Sequence, residues 1–161
     1  MQDMFRKLRE ERADGDRGFT MIELLVVVVI IGVLVAIAIP LYMNYRKGAE
    51  NKSAASDTRG AIAAVEQFYT ENGNVYPDTQ IGTAGTNIVL TAAAVTTPVT
   101  QTITVSPSNT ISYKTNVTSY VLCGMNANGG GVVYGYNSAN GGSVKKSASA
   151  TLAACITANG A

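Results

Sequence analysis

The 161-residue chain contains no histidine and no tryptophan. Without histidine there is no Ser-His or Cys-His nucleophile pair, and the commonest metal ligand is missing, so no enzyme chemistry and no cofactor is expected. Charge is scarce too. Only 14% of residues are Asp, Glu, Lys or Arg and the formal net charge is +1, which leaves no basic surface of the kind that makes nucleic acid a main partner. Cysteine is limited to Cys123 and Cys155. Two thiols allow one bridge, which would persist where the compartment is oxidising.

What the chain does have is concentrated near its start. The first eighteen residues set Arg6, Lys7, Arg9, Arg12 and Arg17 against Asp3, Glu10, Glu11, Asp14 and Asp16, cancel to zero, and read as a cytoplasmic leader. From Phe19 the sequence turns apolar and stays so through Tyr45, broken only by Thr20, Glu23, Pro40 and Asn44. The run Val26-Val27-Val28-Val29-Ile30-Ile31 favours a strand by propensity, because β-branched side chains are stiff and fit pleated surfaces. Length overrides propensity: an apolar segment this long reads as membrane-spanning, and in lipid a helix satisfies every backbone group internally.

Beyond Pro40 the helix is expected to continue to about Thr70. Tyr42, Tyr45, Ala49, Ser53, Ser56, Gly60, Ala64 and Phe68 form one stripe of mostly small residues, with Arg46, Lys47, Glu50, Lys52, Asp57, Arg59 and Glu66 on the other faces. Gly73 and the restriction that Pro77 places on Tyr76 should end it. The remainder has short β-leaning runs at 87–91, 101–106, 119–123 and 132–136. These are punctuated by Asn128-Gly129-Gly130-Gly131 and Asn140-Gly141-Gly142, which implies antiparallel hairpins, with residues 78–98 expected as a connecting loop with one strand in it. The expected fold is α+β, a long N-terminal helix whose C-terminal half packs on a small antiparallel sheet.

The junction Arg17-Gly18-Phe19-Thr20-Met21-Ile22-Glu23-Leu24-Leu25-Val26 resembles the class III signal of type IV pilins and type II secretion pseudopilins. Gly32, Pro40 and Glu71-Asn72-Gly73-Asn74-Val75-Tyr76-Pro77 are similar to that family's helix-weakening positions and helix exit. The resemblance covers residues 17–77. It implies cleavage between Gly18 and Phe19 by a prepilin peptidase and N-methylation of Phe19. It also implies polymerisation of the chain with itself, driven by an inner-membrane platform and a cytoplasmic ATPase. The precursor would sit in the inner membrane by a single pass, and the filament outside the cell, where it could meet DNA or surfaces.

The residues support this chemistry on their own. Gly18 lets extended backbone enter a protease site. Glu23 is an ionisable group in an apolar span and persists there only with a partner; the Phe19 amine freed by cleavage is the natural one. Gly32 and Pro40 bracket a segment with weakened backbone bonding, either a kink or a stretch that unwinds on assembly. A competing cleavage site, Ala36-Ile37-Ala38, fits the small-x-small rule but lacks a polar region before it. The triplets Asn51-Lys52-Ser53 and Asn116-Val117-Thr118 match the glycosylation pattern and are assigned nothing.

The expected organisation is a leader at 1–18, a membrane and assembly helix at 19–45, and a head at 46–161 closed by a Cys123–Cys155 bridge. The expected function is the structural subunit of a type IV pilus. Alternatives are a pseudopilin of a type II secretion or DNA-uptake system, and a membrane-anchored minor pilin that binds a ligand.

Overall fold

The computed structural model describes residues 19–116 and 118–159. The expected leader with Gly18, and Val117 of the second glycosylation triplet, lie outside the described residues. The chain divides into two compact units, Met1–Tyr42 and Met43–Ala161. Helix α1, Met21–Glu71, begins in the first and ends in the second, and its 51 residues run unbroken through Gly32 and Pro40.

In the first unit every described side chain is exposed. In the second, α1 packs on a five-stranded antiparallel sheet. The strands are β1 (Gln80–Ile81), β4 (Asn109–Thr115), β5 (Tyr120–Asn126), β6 (Val133–Asn137) and β7 (Lys145–Lys146), in that spatial order. A separate hairpin pairs β2 (Ile88–Leu90) with β3 (Gln101–Ile103), and helix α2 (Leu152–Asn159) follows the sheet.

The alternation of β5 explains why it is covered on both sides. Tyr120, Leu122, Gly124 and Asn126 share a face with their partners Thr115, Tyr113, Ile111 and Asn109 of β4. Ile111, Tyr113, Tyr120 and Leu122 join Ala61, Val65 and Phe68 of α1, and Ile88, Leu90 and Ile103 of the hairpin, in the main core. The opposite face supplies Val121 and Cys123, which cluster with Val133 and with Cys155 of α2. The Cys123–Cys155 disulfide, Cα to Cα 6.2 Å, fastens α2 over that face. In the chain-entropy account a bridge across a separation of 32 residues stabilises by about 3–4 kcal/mol.

The buried residues of α1 are Ala54, Ala55, Thr58, Ala61, Val65 and Phe68. This corrects the expected stripe, in which Ser56 and Gly60 prove to be exposed. So many residues here are small that size does not mark the buried face; contact with the sheet does. At Gly124 the sheet comes so close that a Cβ would collide with Thr58 Oγ1 and lie 2.7 Å from Ile111 Cδ1. Four further elements were not foreseen: the short edge strands β1 and β7, the first of which gives residues 78–98 two strands; the interior strand β4, whose Ile111 and Tyr113 alternate with Thr, Ser and Lys; and the Ala- and Thr-rich α2, capped by Thr151 Oγ1 accepting from Ala154 N at 3.2 Å.

The helix exit follows its residues. Asn74 N donates to Tyr69 O at 2.9 Å across Gly73, with Gly73 and Asn74 at φ 66° and 65°, the left-handed closure of a Schellman-type end. Asn72 ties that end to the loop before β3, its amide donating to Val99 O at 3.0 Å and accepting from Val99 N at 2.8 Å.

Tyrosines fill the far end of the core. Tyr76, Tyr113 and Tyr136 each lie within 5.8 Å, centroid to centroid, of the Tyr120 ring. The Tyr120 hydroxyl donates to Glu66 Oε1 at 2.7 Å. Burial pushes the phenols of Tyr113 and Tyr120 upward from their ordinary value of 10.0, and for Tyr120 the Glu66 carboxylate adds to the shift. The folded chain therefore keeps protons that the unfolded chain gives up once the pH passes that value. Their contribution is fully present below about pH 10 and is lost as the pH rises beyond it. Urea midpoints measured from pH 7 to 11 should fall on the alkaline side. Tyr120→Phe should lower the neutral-pH stability by about 1 kcal/mol and flatten the alkaline decline.

Candidate assembly surface

The N-terminal end of α1 is built by four polar contacts among Thr20, Glu23 and Leu24. Thr20 is the N-cap: its Oγ1 accepts from Glu23 N at 3.3 Å, and its carbonyl accepts from Leu24 N at 3.2 Å. Glu23 Oε2 accepts in return from Thr20 N at 3.2 Å and from Thr20 Oγ1 at 3.0 Å. This is a reciprocal capping box, which satisfies helix-end donors that otherwise have no partner. The carboxylate is also placed at the positive end of the helix dipole.

A carboxylate offers about four acceptor sites, and two are used here. Glu23 can therefore hold its own helix end and still receive a further donor. Its Oε2 already reaches the nitrogen of Thr20, the residue that follows Phe19. Phe19 itself is exposed, at 79%.

From Met21 to Tyr45 the helix carries one acid, no base and an uninterrupted display of exposed Leu, Val, Ile and Met. The segment is long and apolar enough to cross a membrane, and none of its most apolar window is buried within the chain. Gly32 and Pro40 both fall in it. A Cβ at Gly32 would meet nothing within 4 Å, so no contact in the chain requires glycine there. Among the described residues no three His, Cys, Asp or Glu side chains gather in a way that would hold a metal ion.

Residues 14–39 match the family described as the Prokaryotic N-terminal methylation motif. Among known proteins, fimbrial protein EcpC of Eikenella corrodens is 33% identical over 100 residues, spanning 52% of this chain and 65% of that protein. Type II secretion system core protein G of Pectobacterium carotovorum subsp. carotovorum is 38% identical over 66 residues, 41% of this chain and 42% of that one. Type IV major pilin protein PilE of Neisseria gonorrhoeae is 35% identical over 75 residues, 45% of this chain and 44% of that one. The chain shares the N-terminal region of type IV pilins and of a type II secretion core protein. The match is less than two thirds of the length of any of these relatives, and no solved structure matches the chain significantly.

In this region the sequence alone pointed to Glu23 and Phe19, and Thr20 was not foreseen as a partner in the cap. The signal was present, since Thr-x-x-Glu ahead of an apolar run is the capping-box pattern. Glu23 thus has a local role beside any role between subunits, and the two can be separated chemically. A glutamine at the same position still accepts from the N-cap but carries no charge. Amide exchange across residues 21–24, measured in detergent micelles, should accelerate in Thr20→Val, which loses about 1 kcal/mol of capping, and stay close to the unsubstituted rate in Glu23→Gln.

Proposed function

We propose that the chain is the structural subunit of a type IV pilus. A prepilin peptidase cleaves between Gly18 and Phe19 and the new amine is methylated. The processed chain waits in the cytoplasmic membrane by a single pass until a platform and its ATPase move it into a helical polymer of identical subunits outside the cell. The role is structural rather than catalytic. The observation that carries this reading is the exposed apolar stretch of α1 with its lone carboxylate at a capped N-terminus; the methylation-motif match and the fimbrial relatives support it.

Transfer of the apolar side chains of 24–39 out of water is worth on the order of 20 to 30 kcal/mol. The bilayer already supplies that energy, so moving the helix from lipid into a bundle of helices gains little from it. Assembly then depends on packing, on charge pairing and on work done by the ATPase. Pairing of Glu23 with a Phe19 ammonium removes two charges from a low-dielectric interior at once. The stretch between Gly32 and Pro40 is the place where α1 would give way if the subunit lengthens. Each subunit would present one surface to a different surface of the next, a heterologous contact that grows a filament and never closes.

A second reading, a pseudopilin of a type II secretion system, is favoured by the likeness to core protein G. Electron microscopy of surface filaments sheared from cells separates the two, since the pilin reading requires abundant pili.

Two measurements test the proposal. The intact mass of the chain in those filaments should correspond to a start at Phe19 with one added methyl group; a start at Ile39 would mean ordinary signal-peptidase processing and would end the pilin reading. Filament yield should collapse in both Glu23→Ala and Glu23→Gln at unchanged levels of processed, membrane-inserted subunit. Because Glu23→Gln keeps the cap, normal filaments from that variant would remove charge neutralisation from the mechanism.

A further inference from the structure

In the Met43–Ala161 unit, one arc of α1 and one loop of the sheet meet just past the end of the apolar run. Gly129, in the β5–β6 loop, abuts Asn51 so closely that a Cβ would strike Asn51 Oδ1. A Cβ on Gly130 would lie 3.6 Å from Lys47 Cδ, and Asn126 Nδ2 donates to Glu50 Oε2 at 3.0 Å. The loop at 127–132 is therefore fastened beside helix residues 47–51. At the helical rise of 1.5 Å per residue, Lys47 is about 3 Å and Asn51 about 9 Å beyond Tyr45 along the axis. The polar layer on one side of a bilayer is about 5–7 Å deep. If the apolar run ends at the hydrocarbon boundary, Lys47 stands at headgroup level and Asn51, with Gly129 against it, just past the outer edge of that layer, within a Debye length of the lipid phosphates.

Charge at that level is one-sided. Arg46, Lys47 and Lys52 are exposed, whereas the carboxylate of Glu50 is engaged by Arg46 at 3.7 Å and by Asn126. Asp57, the next acid along α1, is turned to the sheet, accepting from Ser106 N at 2.7 Å and Asn109 Nδ2 at 2.6 Å. The loop Ala127-Asn128-Gly129-Gly130-Gly131 has no charge and no large side chain. It can lie against a polar surface with little to desolvate.

We infer that this arc of α1 and the β5–β6 loop form a docking surface for anionic phospholipid headgroups, on which the Met43–Ala161 unit rests while the subunit is held in the membrane. The inference depends on the membrane reading of the apolar run. Attraction of Lys47, Lys52 and Arg46 to lipid phosphates acts within about a Debye length, some 8–10 Å at moderate salt, so it weakens as salt is added and ends when the subunit is extracted.

The absence of tryptophan supplies the test. Asn128 and Asn140 are both exposed, and they lie in turns at opposite ends of β6. Full-length Asn128→Trp and Asn140→Trp chains are reconstituted in phosphatidylglycerol vesicles carrying a nitroxide on the headgroup, and separately in phosphatidylcholine vesicles with the same label. The indole introduced by Asn128→Trp should lose fluorescence strongly in phosphatidylglycerol and weakly in phosphatidylcholine, and the one introduced by Asn140→Trp in neither. The loss should disappear at high salt and in Asn128→Trp combined with Lys47→Glu and Lys52→Glu. Amide exchange across 127–132 in the unsubstituted chain should slow in phosphatidylglycerol, a readout free of any folding defect. Equal quenching at the two positions, equal quenching in the two lipids, or unchanged exchange in chains that float with the vesicles would overturn the inference alone. Chains that do not float with vesicles at all would overturn the membrane reading with it.

Discussion

The close approach of α1 to β4 and β5 is the contact on which the rest of the second unit depends. It is made by alanines and a threonine on the helix and by Gly124 on the sheet, which has no room for a side chain. Small residues permit nearness but say little about register, because one alanine fits a smooth surface much as another does. Register comes from polar pairs spaced along the contact. Glu66 meets Tyr120 at one end, Asp57 meets Ser106 and Asn109 in the middle, and Glu50 meets Asn126 at the other. Asn109 and Asn126 are fully buried and joined to each other at 2.6 Å. A slip of the helix by one residue would rotate the acids away by about 100° and leave buried amides unsatisfied, a cost of about 1–3 kcal/mol each.

The same helix answers a different requirement where it carries no packed neighbour. An apolar stretch in lipid must satisfy its backbone internally, and helix ends are where that fails. Thr20 and Glu23 close the N-terminal end with their own side chains. Glu23 is thereby tolerable in an apolar setting before any partner arrives, which explains how a subunit could store an ionisable group in a membrane and still offer it for assembly. Local capping uses two acceptor sites of that carboxylate, so it would not exclude the pairing between subunits proposed above.

Much of this was legible in the residues. The apolar run outweighed the strand propensity of its valines because length is the stronger signal, and the helix exit was marked by Asn72-Gly73 and Pro77. The buried face of α1 was not legible, since Ser56, Gly60, Ala54 and Ala61 are alike in size, and what selects among them is Gly124 on the facing strand together with the polar pairs to residues far along the chain. Strand β4 was hidden because Asn109, Ser112 and Lys114 make a central strand look polar; Asn109 is buried only by virtue of Asp57 and Asn126, residues distant in sequence. Thr20 was hidden for another reason. Its pattern sat inside a stronger motif, and the carboxylate that makes the motif noticeable also makes the cap.

The core explains why the apolar end is free to change partners. Every α1 residue buried in the second unit lies at Ala54 or later, and the disulfide adds its constraint between β5 and α2, on the sheet face turned from α1. Among the described residues, every side chain of 21–45 is exposed. Exchange of lipid for protein around those side chains would therefore alter the surroundings of the apolar helix without disturbing the packing of the head. Placing the folding core and the exposed apolar surface on successive parts of one helix would give the proposed pilus subunit the independence it needs to be stable in a membrane, during extraction and in a polymer.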